Sequence, residues 1–203
     1  MAQFPNIEIN QVVLEHRQPS IINQSLSGKR DVLIREASYW MIDFSSRNYA
    51  YDDIRSVHAF LNSLDGMYMP FDLVLPEISY KKGAAEVANG YSNVEVSSVI
   101  GSKTILLRRL KANVSKSFKA GDLIRFANHS KVYQIVEDAD STSSGMATIK
   151  LHTALQNNQI GSGTIAFIDS VPFTVQLERD AQSISLSPGL ITSIKVSCRE
   201  VIN

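Results

Sequence analysis

Five basic side chains within twelve positions form the densest group of residues whose chemistry suggests a ligand. They are Arg108, Arg109, Lys111, Lys116 and Lys119. Cations along a loop can contact nucleic-acid phosphates, and interleaved aromatic side chains then stack on the bases. Only Phe118 is aromatic in this segment. A solvated sheet edge, whose charges deter unwanted strand pairing, is therefore favoured over a single-strand-binding site.

Residues suited to metal binding or to nucleophilic catalysis are scattered along the chain. The histidines, His16, His58, His129 and His152, form no local metal pair. Cys198 is the only cysteine, which excludes an intramolecular disulfide and a cysteine-based zinc cluster. No G-x-S-x-G motif is present, so a triad assembled only in three dimensions is the weakest alternative. We expect no catalytic residue, metal or cofactor.

Two short motifs resemble ligand-binding loops but lack what such loops need. Gly161-Ser162-Gly163 precedes strand-like residues, whereas a phosphate-binding glycine loop precedes a helix N-terminus. Glu137-Asp138-Ala139-Asp140 opens like a calcium loop, but its glycine comes too late and no closing glutamate follows. Both motifs therefore predict turns.

The overall composition excludes some partners. The 203 residues carry 20 Lys plus Arg and 20 Asp plus Glu, so no global field draws the protein to nucleic acid or to an anionic membrane. The N-terminus lacks the pattern of a signal peptide, and no run approaches the roughly 20 apolar residues that cross a bilayer. We expect synthesis in the cytosol and no membrane partner.

The elements that hold these residues are mainly strands, with one convincing helix. Ile54, Val57, Leu61 and Leu64 recur at helical spacing and Gly66 follows, which predicts a helix over residues 51–65. Residues 1–30 are polar and are expected to be irregular. Alternating runs predict strands over 31–46, 70–76, 94–99, 104–110, 123–127, 131–136, 147–151, 164–168, 172–178 and 191–201.

The predicted secondary structure and the charge of the chain both change at about residue 79. Roughly six short strands and no helix over residues 79–171 predict a small closed barrel. That segment has eleven basic and seven acidic residues, whereas the remainder has nine and thirteen. We therefore expect a barrel domain at 79–171 inserted into a discontinuous domain at 1–78 and 172–203, with oppositely charged surfaces that meet within or between subunits.

Several stretches resemble phage tail proteins. The run 119–126, with the sequence KAGDLIRF, followed by KVYQI at 131–135, is similar to a K-x-G-D…K-V-Y pattern of tail and tail-tip proteins. Residues 39–44, the helix ending in Leu64-Asp65-Gly66, the run 71–76 and the closing residues 194–200 resemble the ring domain of distal tail proteins. The closest likeness is to the small type from long-tailed (siphovirus-type) phages, which lacks carbohydrate-binding insertions.

This resemblance implies a fold and a function. The expected fold is mainly β with one α-helix: a β-sandwich ring domain plus an OB-like β-barrel. The expected function is that of a virion structural protein at the baseplate, used in host attachment. Its hexameric ring would join the tail-tube protein to a hub or fibre protein at the distal end of the tail and leave a lumen for DNA.

Two other readings stay open from the sequence. One is another tail or baseplate subunit, such as a tail-tube or terminator protein, because these also have small β-rich folds. The other is a single-stranded nucleic-acid-binding module that uses Arg108, Arg109, Lys111, Lys116 and Lys119. Specific nucleic-acid binding is not expected, since a barrel fold alone does not carry that function.

Overall fold

A computed structural model describes residues 2–34, 38–156, 160–180, 187 and 191–202. This part of the chain is mainly β with a single α-helix, which confirms the predicted fold class. Within the strands predicted over 31–46, residues 35–37 lie outside the described part. The chain divides into two compact units: unit 1 comprises Met1–Phe71 and Val175–Val201, and unit 2 comprises Asp72–Thr174 and Ile202–Asn203.

The elements follow one another in this order along the chain. Up to the helix, they are β1 (Ala2–Gln3), β2 (Ile9–Arg17), β3 (Ser20–Gln24), β4 (Arg30–Ile34), β5 (Tyr39–Ser46), β6 (Tyr49–Ala50) and α1 (Tyr51–Asn62). After it come β7 (Phe71–Leu73), β8 (Val94–Gly101), β9 (Thr104–Arg108), β10 (Leu123–Phe126), β11 (Val132–Gln134), β12 (Ala147–Lys150), β13 (Ile165–Phe167), β14 (Phe173–Leu177), β15 (Ile191–Thr192) and β16 (Lys195–Glu200).

A six-stranded sheet in the order β1-β7-β14-β16-β5-β2 organises unit 1. Alternation along β5 and β16 buries one face, because successive side chains of a strand point to opposite sides. Ile42, Phe44, Val196 and Cys198 lie on the buried face. The opposite face carries the cross-strand row Val13, Asp43 and Ser197.

Helix α1 closes the core of unit 1. Ile54, Val57 and Leu61 are its buried residues, and Phe60 packs edge-on against Phe71 with ring centroids 5.7 Å apart. The helix begins at the predicted residue but ends at Asn62 rather than at 65. The chain leaves the helix early because the Ser63 hydroxyl donates to the Phe60 carbonyl at 2.7 Å and turns occupy 63–68.

The prediction that residues 1–30 are irregular is wrong. Residues 9–17 form β2, which pairs with β5 over almost its whole length, and residues 20–24 form β3 in a hairpin with β4. The polar composition of this segment does not reveal its strands, because they bury few apolar side chains: β2 is only half-buried and every residue of β3 is exposed.

Unit 2 contains a closed β-barrel. Its six strands have the order β11-β10-β13-β8-β9-β12. The two end strands meet at the bridge between Ile135 and Leu151, and the Val136 amide donates to the Lys150 carbonyl at 3.0 Å. Closure removes the free edges of the sheet. Buried residues from every strand fill the interior, among them Val96, Ile105, Phe126 and Ile149.

Candidate functional site

The predicted basic segment does not lie at a sheet edge. Arg108 ends β9, which lies between β8 and β12 in the barrel, and the other four cations follow in the loop 109–119. The expectation of a solvated sheet edge is therefore wrong, because the sheet closes on itself. Phe118 is 1% exposed and belongs to the core, so it offers no stacking surface to a base.

Carboxylates engage most of these cations. Arg108 donates to Glu95 at 2.9 Å, Lys111 to Glu86 at 2.9 Å, and Lys116 lies 3.3 Å from Asp138. Arg109 also contacts Glu95. Three carboxylates thus offset part of the charge of four cations, because Arg108 and Arg109 share Glu95. The segment is therefore less attractive to a nucleic-acid backbone than its sequence suggests.

Glu95 is the most buried of these carboxylates and contacts two of the cations. Its side chain is 12% exposed and receives both arginines, and the Arg109 guanidinium lies 4.8 Å from the ring centroid of Tyr91. Arg109 adopts a φ of +69°, a region that a residue with a Cβ rarely visits. Glu95 and Tyr91 could not be predicted as partners of these arginines, because they lie more than ten residues upstream.

The acidic run 137–140 holds a neighbouring loop. The Asp138 carboxylate accepts from the Ala120 amide at 2.9 Å, and the Asp140 carboxylate accepts from the Lys116 amide at 2.6 Å. The bond from the Ala120 amide, together with the Lys116 side chain, keeps the pKa of Asp138 below its usual range. Among the described residues, no group of three His, Cys, Asp or Glu side chains is arranged to hold a metal ion.

Asp122, in the K-x-G-D motif, joins two segments of unit 2 by accepting three backbone hydrogen bonds. One carboxylate oxygen accepts from the Lys82 amide at 2.7 Å, and the other accepts from the amides of Gly83 and Lys119 at 3.0 and 2.9 Å. Gly121, with a φ of +102°, makes the turn before β10. The carboxylate therefore joins this turn to residues 82–83, far away in sequence.

The second half of the motif forms a buried hydrogen-bonded cluster. Tyr133 is fully buried, and its hydroxyl lies 3.0 Å from His129 Nε2 and accepts from the Gln156 amide at 3.2 Å. Burial, with Arg125 and Lys131 nearby, lowers the pKa of His129 to about 4. His129 lies in the predicted turn between β10 and β11, but the sequence did not reveal its burial.

The other histidines and the cysteine also have structural surroundings. His16 packs on Trp40 with ring centroids 4.9 Å apart, His58 Nδ1 lies 3.4 Å from Asn62, and His152 accepts from the Gln134 amide at 2.9 Å. Cys198 is fully buried in β16, where burial raises the pKa of its thiol. The described geometry brings none of these residues together with a reactive serine.

Unit 1 presents a long sheet edge. Strand β2, nine residues in length, ends the sheet order, so one side of its backbone pairs with β5 and the other has no strand partner among the described residues. Strand β16, close to the end of the chain, supplies no such edge, because it lies between β14 and β5.

The comparison with known families concerns the barrel. Residues 84–169 match the family model for the B domain of distal tail protein pb9, and they include every barrel strand. This match shows the distal tail family for the barrel segment of the chain, residues 84–169. The resemblance that the motifs indicated is thereby confirmed. No curated protein matches the chain.

The B domain supplies the broad functional assignment. Its family is a structural one of phage tails, so the chain has a structural role in the tail and interacts with other tail components. Family membership also places the protein in the virion tail. The Asp122 turn and the Tyr133 cluster both lie in the B domain, where the motif residues fix a turn and a buried hydrogen-bonded cluster. The described part of the chain has no helix with the length and hydrophobicity to cross a lipid bilayer.

Proposed function

We propose that this protein is a ring-forming subunit at the distal end of a phage tail. The ring joins the tail tube to a hub or central fibre and leaves a lumen through which DNA passes. The match of residues 84–169 to the B domain of a distal tail protein carries this proposal. A scaffold role also accords with the surroundings of the histidines and acidic residues, which hold turns and cores rather than a substrate.

Unit 1 is the ring-forming part in this proposal, and the barrel is a separate domain. Support comes from the surface of unit 1: within the described part of the chain β2 is the last strand of its sheet, and such an edge offers backbone donors and acceptors to another chain. A cyclic ring needs a heterologous contact, in which two different surfaces of each copy meet. The edge of β2 provides one such surface. We take six as the copy number.

Negative-stain electron microscopy of the purified full-length protein tests ring formation. We expect closed rings of uniform diameter with a central hole, and a native mass of six chains. Open filaments would contradict the ring, because they show that the contact between copies does not close. A tail-tube subunit would instead stack into tubes of many rings, which the same images distinguish.

Binding of single-stranded nucleic acid stays a prediction of lower rank. It would use Arg108, Arg109, Lys111, Lys116 and Lys119, but carboxylates contact four of these five residues. Titration with an oligonucleotide at low salt tests it. Salt-sensitive binding at micromolar or tighter affinity would support that function. An absence of binding would dispose of it and leave the tail role untouched.

A further inference from the structure

A surface turn of unit 2 contains a chemically reactive pair of residues. Asn89 is the only asparagine of the chain that is followed by glycine. The Tyr91 amide donates to the Ala88 carbonyl at 3.2 Å and closes the turn around the pair. Gly90 has a φ of +87°, which glycine adopts without strain. Both Asn89 and Gly90 are exposed, so water reaches the pair.

An asparagine side chain can react with the backbone nitrogen of the residue that follows it. A bond forms between the Gly90 nitrogen and Asn89 Cγ, and the bond from Cγ to Nδ2 breaks. The proton of the Gly90 amide leaves with Nδ2 as ammonia, and a five-membered succinimide ring remains. Water then opens this ring at one of its two carbonyl carbons, which gives either aspartate or isoaspartate. This chemistry makes asparagine one of the thermolabile residues.

The nitrogen of Gly90 is available for this reaction. Within the described part of the chain, its amide donates no hydrogen bond. A Cβ built at this position would meet nothing within 4 Å, so the surroundings leave space for the ring. Ring closure requires the peptide plane between Asn89 and Gly90 to rotate. Glycine permits that rotation, and the only bond across the turn is the one of 3.2 Å.

Two other asparagines of the barrel lie in less reactive surroundings. The amide after Asn113 donates to the Ser141 hydroxyl at 2.8 Å, and the amide after Asn128 donates to the Phe126 carbonyl at 3.3 Å. Both amides belong to residues with large side chains, which hinder ring closure. Each of these hydrogen bonds must open before the nitrogen can attack. Asn89 therefore differs from them in structure as well as in sequence.

The turn is joined to Arg109 at both of its ends. The Ala88 amide donates to the Arg109 carbonyl at 2.8 Å, and the Arg109 guanidinium lies 4.8 Å from the ring centroid of Tyr91. A carboxylate at position 89 would appear between two residues that contact this arginine. Isoaspartate would also add one carbon to the backbone path of the turn. Either product gives the chain, which is formally neutral, one additional negative charge.

We infer that Asn89 is a site of spontaneous modification, where the side chain of the folded protein converts through a succinimide to aspartate and isoaspartate. Water is the only co-reactant, and no enzyme, metal or oxidant takes part. The conversion proceeds with time, so an aged sample contains chains with an amide and chains with an acid at this turn. This inference does not rest on the proposed tail function, and neither outcome of its test bears on that function.

Peptide mass spectrometry of the full-length protein, incubated at mildly alkaline pH, tests the site. We expect conversion at Asn89 to be faster than at Asn113 and Asn128 by roughly tenfold or more, because the amides after those two must first be released. Isoaspartate should form beside aspartate at position 89. In urea, conversion at Asn113 and Asn128 should accelerate, whereas conversion at Asn89 should change little.

The matched control is Asn89→Gln, which keeps a side-chain amide but would need a larger, six-membered ring. Ion exchange should show an acidic form that accumulates in the wild type and not in this variant. Two results would overturn the inference. One is conversion at Asn89 no faster than at Asn113 and Asn128 in the folded protein. The other is conversion at Asn89 that occurs only in urea, because the folded turn would then protect the pair.

Discussion

The side chains with the most suggestive chemistry in this sequence stabilise local structure. Asp122, buried at 4% exposure, accepts three backbone hydrogen bonds. The carboxylates of the apparent calcium loop hold the loop 116–120 instead of a cation. Residue type alone could not distinguish the two roles, because a carboxylate serves amide donors and metal ions equally well. The hydrogen-bond partners distinguish the two roles, and all of them except Lys119 lie 18 to 40 residues away in sequence.

Asp122→Asn should destabilise the barrel. The new amide group turns N–H donors toward backbone N–H donors, and a buried donor without an acceptor costs free energy. We expect a loss of about 3 kcal/mol in the free energy of unfolding, measured by hydrogen exchange of barrel peptides. Asp138→Asn, at a more exposed carboxylate, is the control, and its loss should be clearly smaller because water can replace the lost acceptor. Equal losses would contradict the anchoring role of Asp122.

Gly145→Ala should also weaken the barrel. A Cβ at this position would lie 2.3 Å from the Leu110 carbonyl oxygen, and the residue has a φ of +69°. Because the neighbour is backbone, it cannot move aside cheaply, and we expect a loss of about 3 kcal/mol or more. Gly161→Ala meets nothing within 4 Å and has an ordinary φ. Thermal unfolding of the two variants checks the difference, and a tolerated Gly145→Ala would show that this turn can shift.

His129 should make barrel stability depend on pH. Its folded pKa of about 4 lies below the unfolded value near 6.5, so the unfolded state binds more protons between these pH values. Stability should therefore fall as the pH is lowered through this window, by on the order of 2–3 kcal/mol. Denaturant titrations at several pH values measure the slope. It should flatten in His129→Gln but persist in His58→Gln; an unchanged slope in His129→Gln would contradict this assignment.

At the scale of elements, periodic apolar residues were the most reliable guide. The helix begins where Ile54, Val57 and Leu61 predict, and most predicted strands of the barrel lie within a residue or two of the observed ones. The strands that the sequence missed, β2 and β3, lack a strong pattern, since their stability comes from pairing rather than from burial. Pairing partners are not visible in a single sequence.

Strand β16 provides an element-scale prediction. Cys198 pairs with Ile42 and Leu177 in the middle of the sheet and is fully buried. Its thiol should react with a soluble disulfide reagent roughly a thousandfold slower in the folded protein than in urea, because reaction needs local opening of the sheet. The exposed thiol of Leu26→Cys should react at once. Fast labelling of Cys198 in the native protein would contradict the position of β16 inside the sheet.

At the scale of the molecule, the sequence predicted the family better than it predicted the surfaces. The motif around Asp122 and Tyr133 led to the distal tail family, because its residues are tied to a barrel that the family shares. The edge of β2, which we propose as an assembly surface, lies within residues 1–30, for which the sequence predicted no regular structure. Assembly surfaces are exposed in a single chain, so burial patterns do not reveal them.

The location of the protein in the phage particle tests the central claim most directly. Immunogold labelling of intact virions, with antibody raised against the purified protein, reads that location by electron microscopy. We expect gold only at the tail end opposite the capsid. Gold spaced along the tail shaft or at the junction with the capsid, or particles without any label, would contradict a distal tail ring.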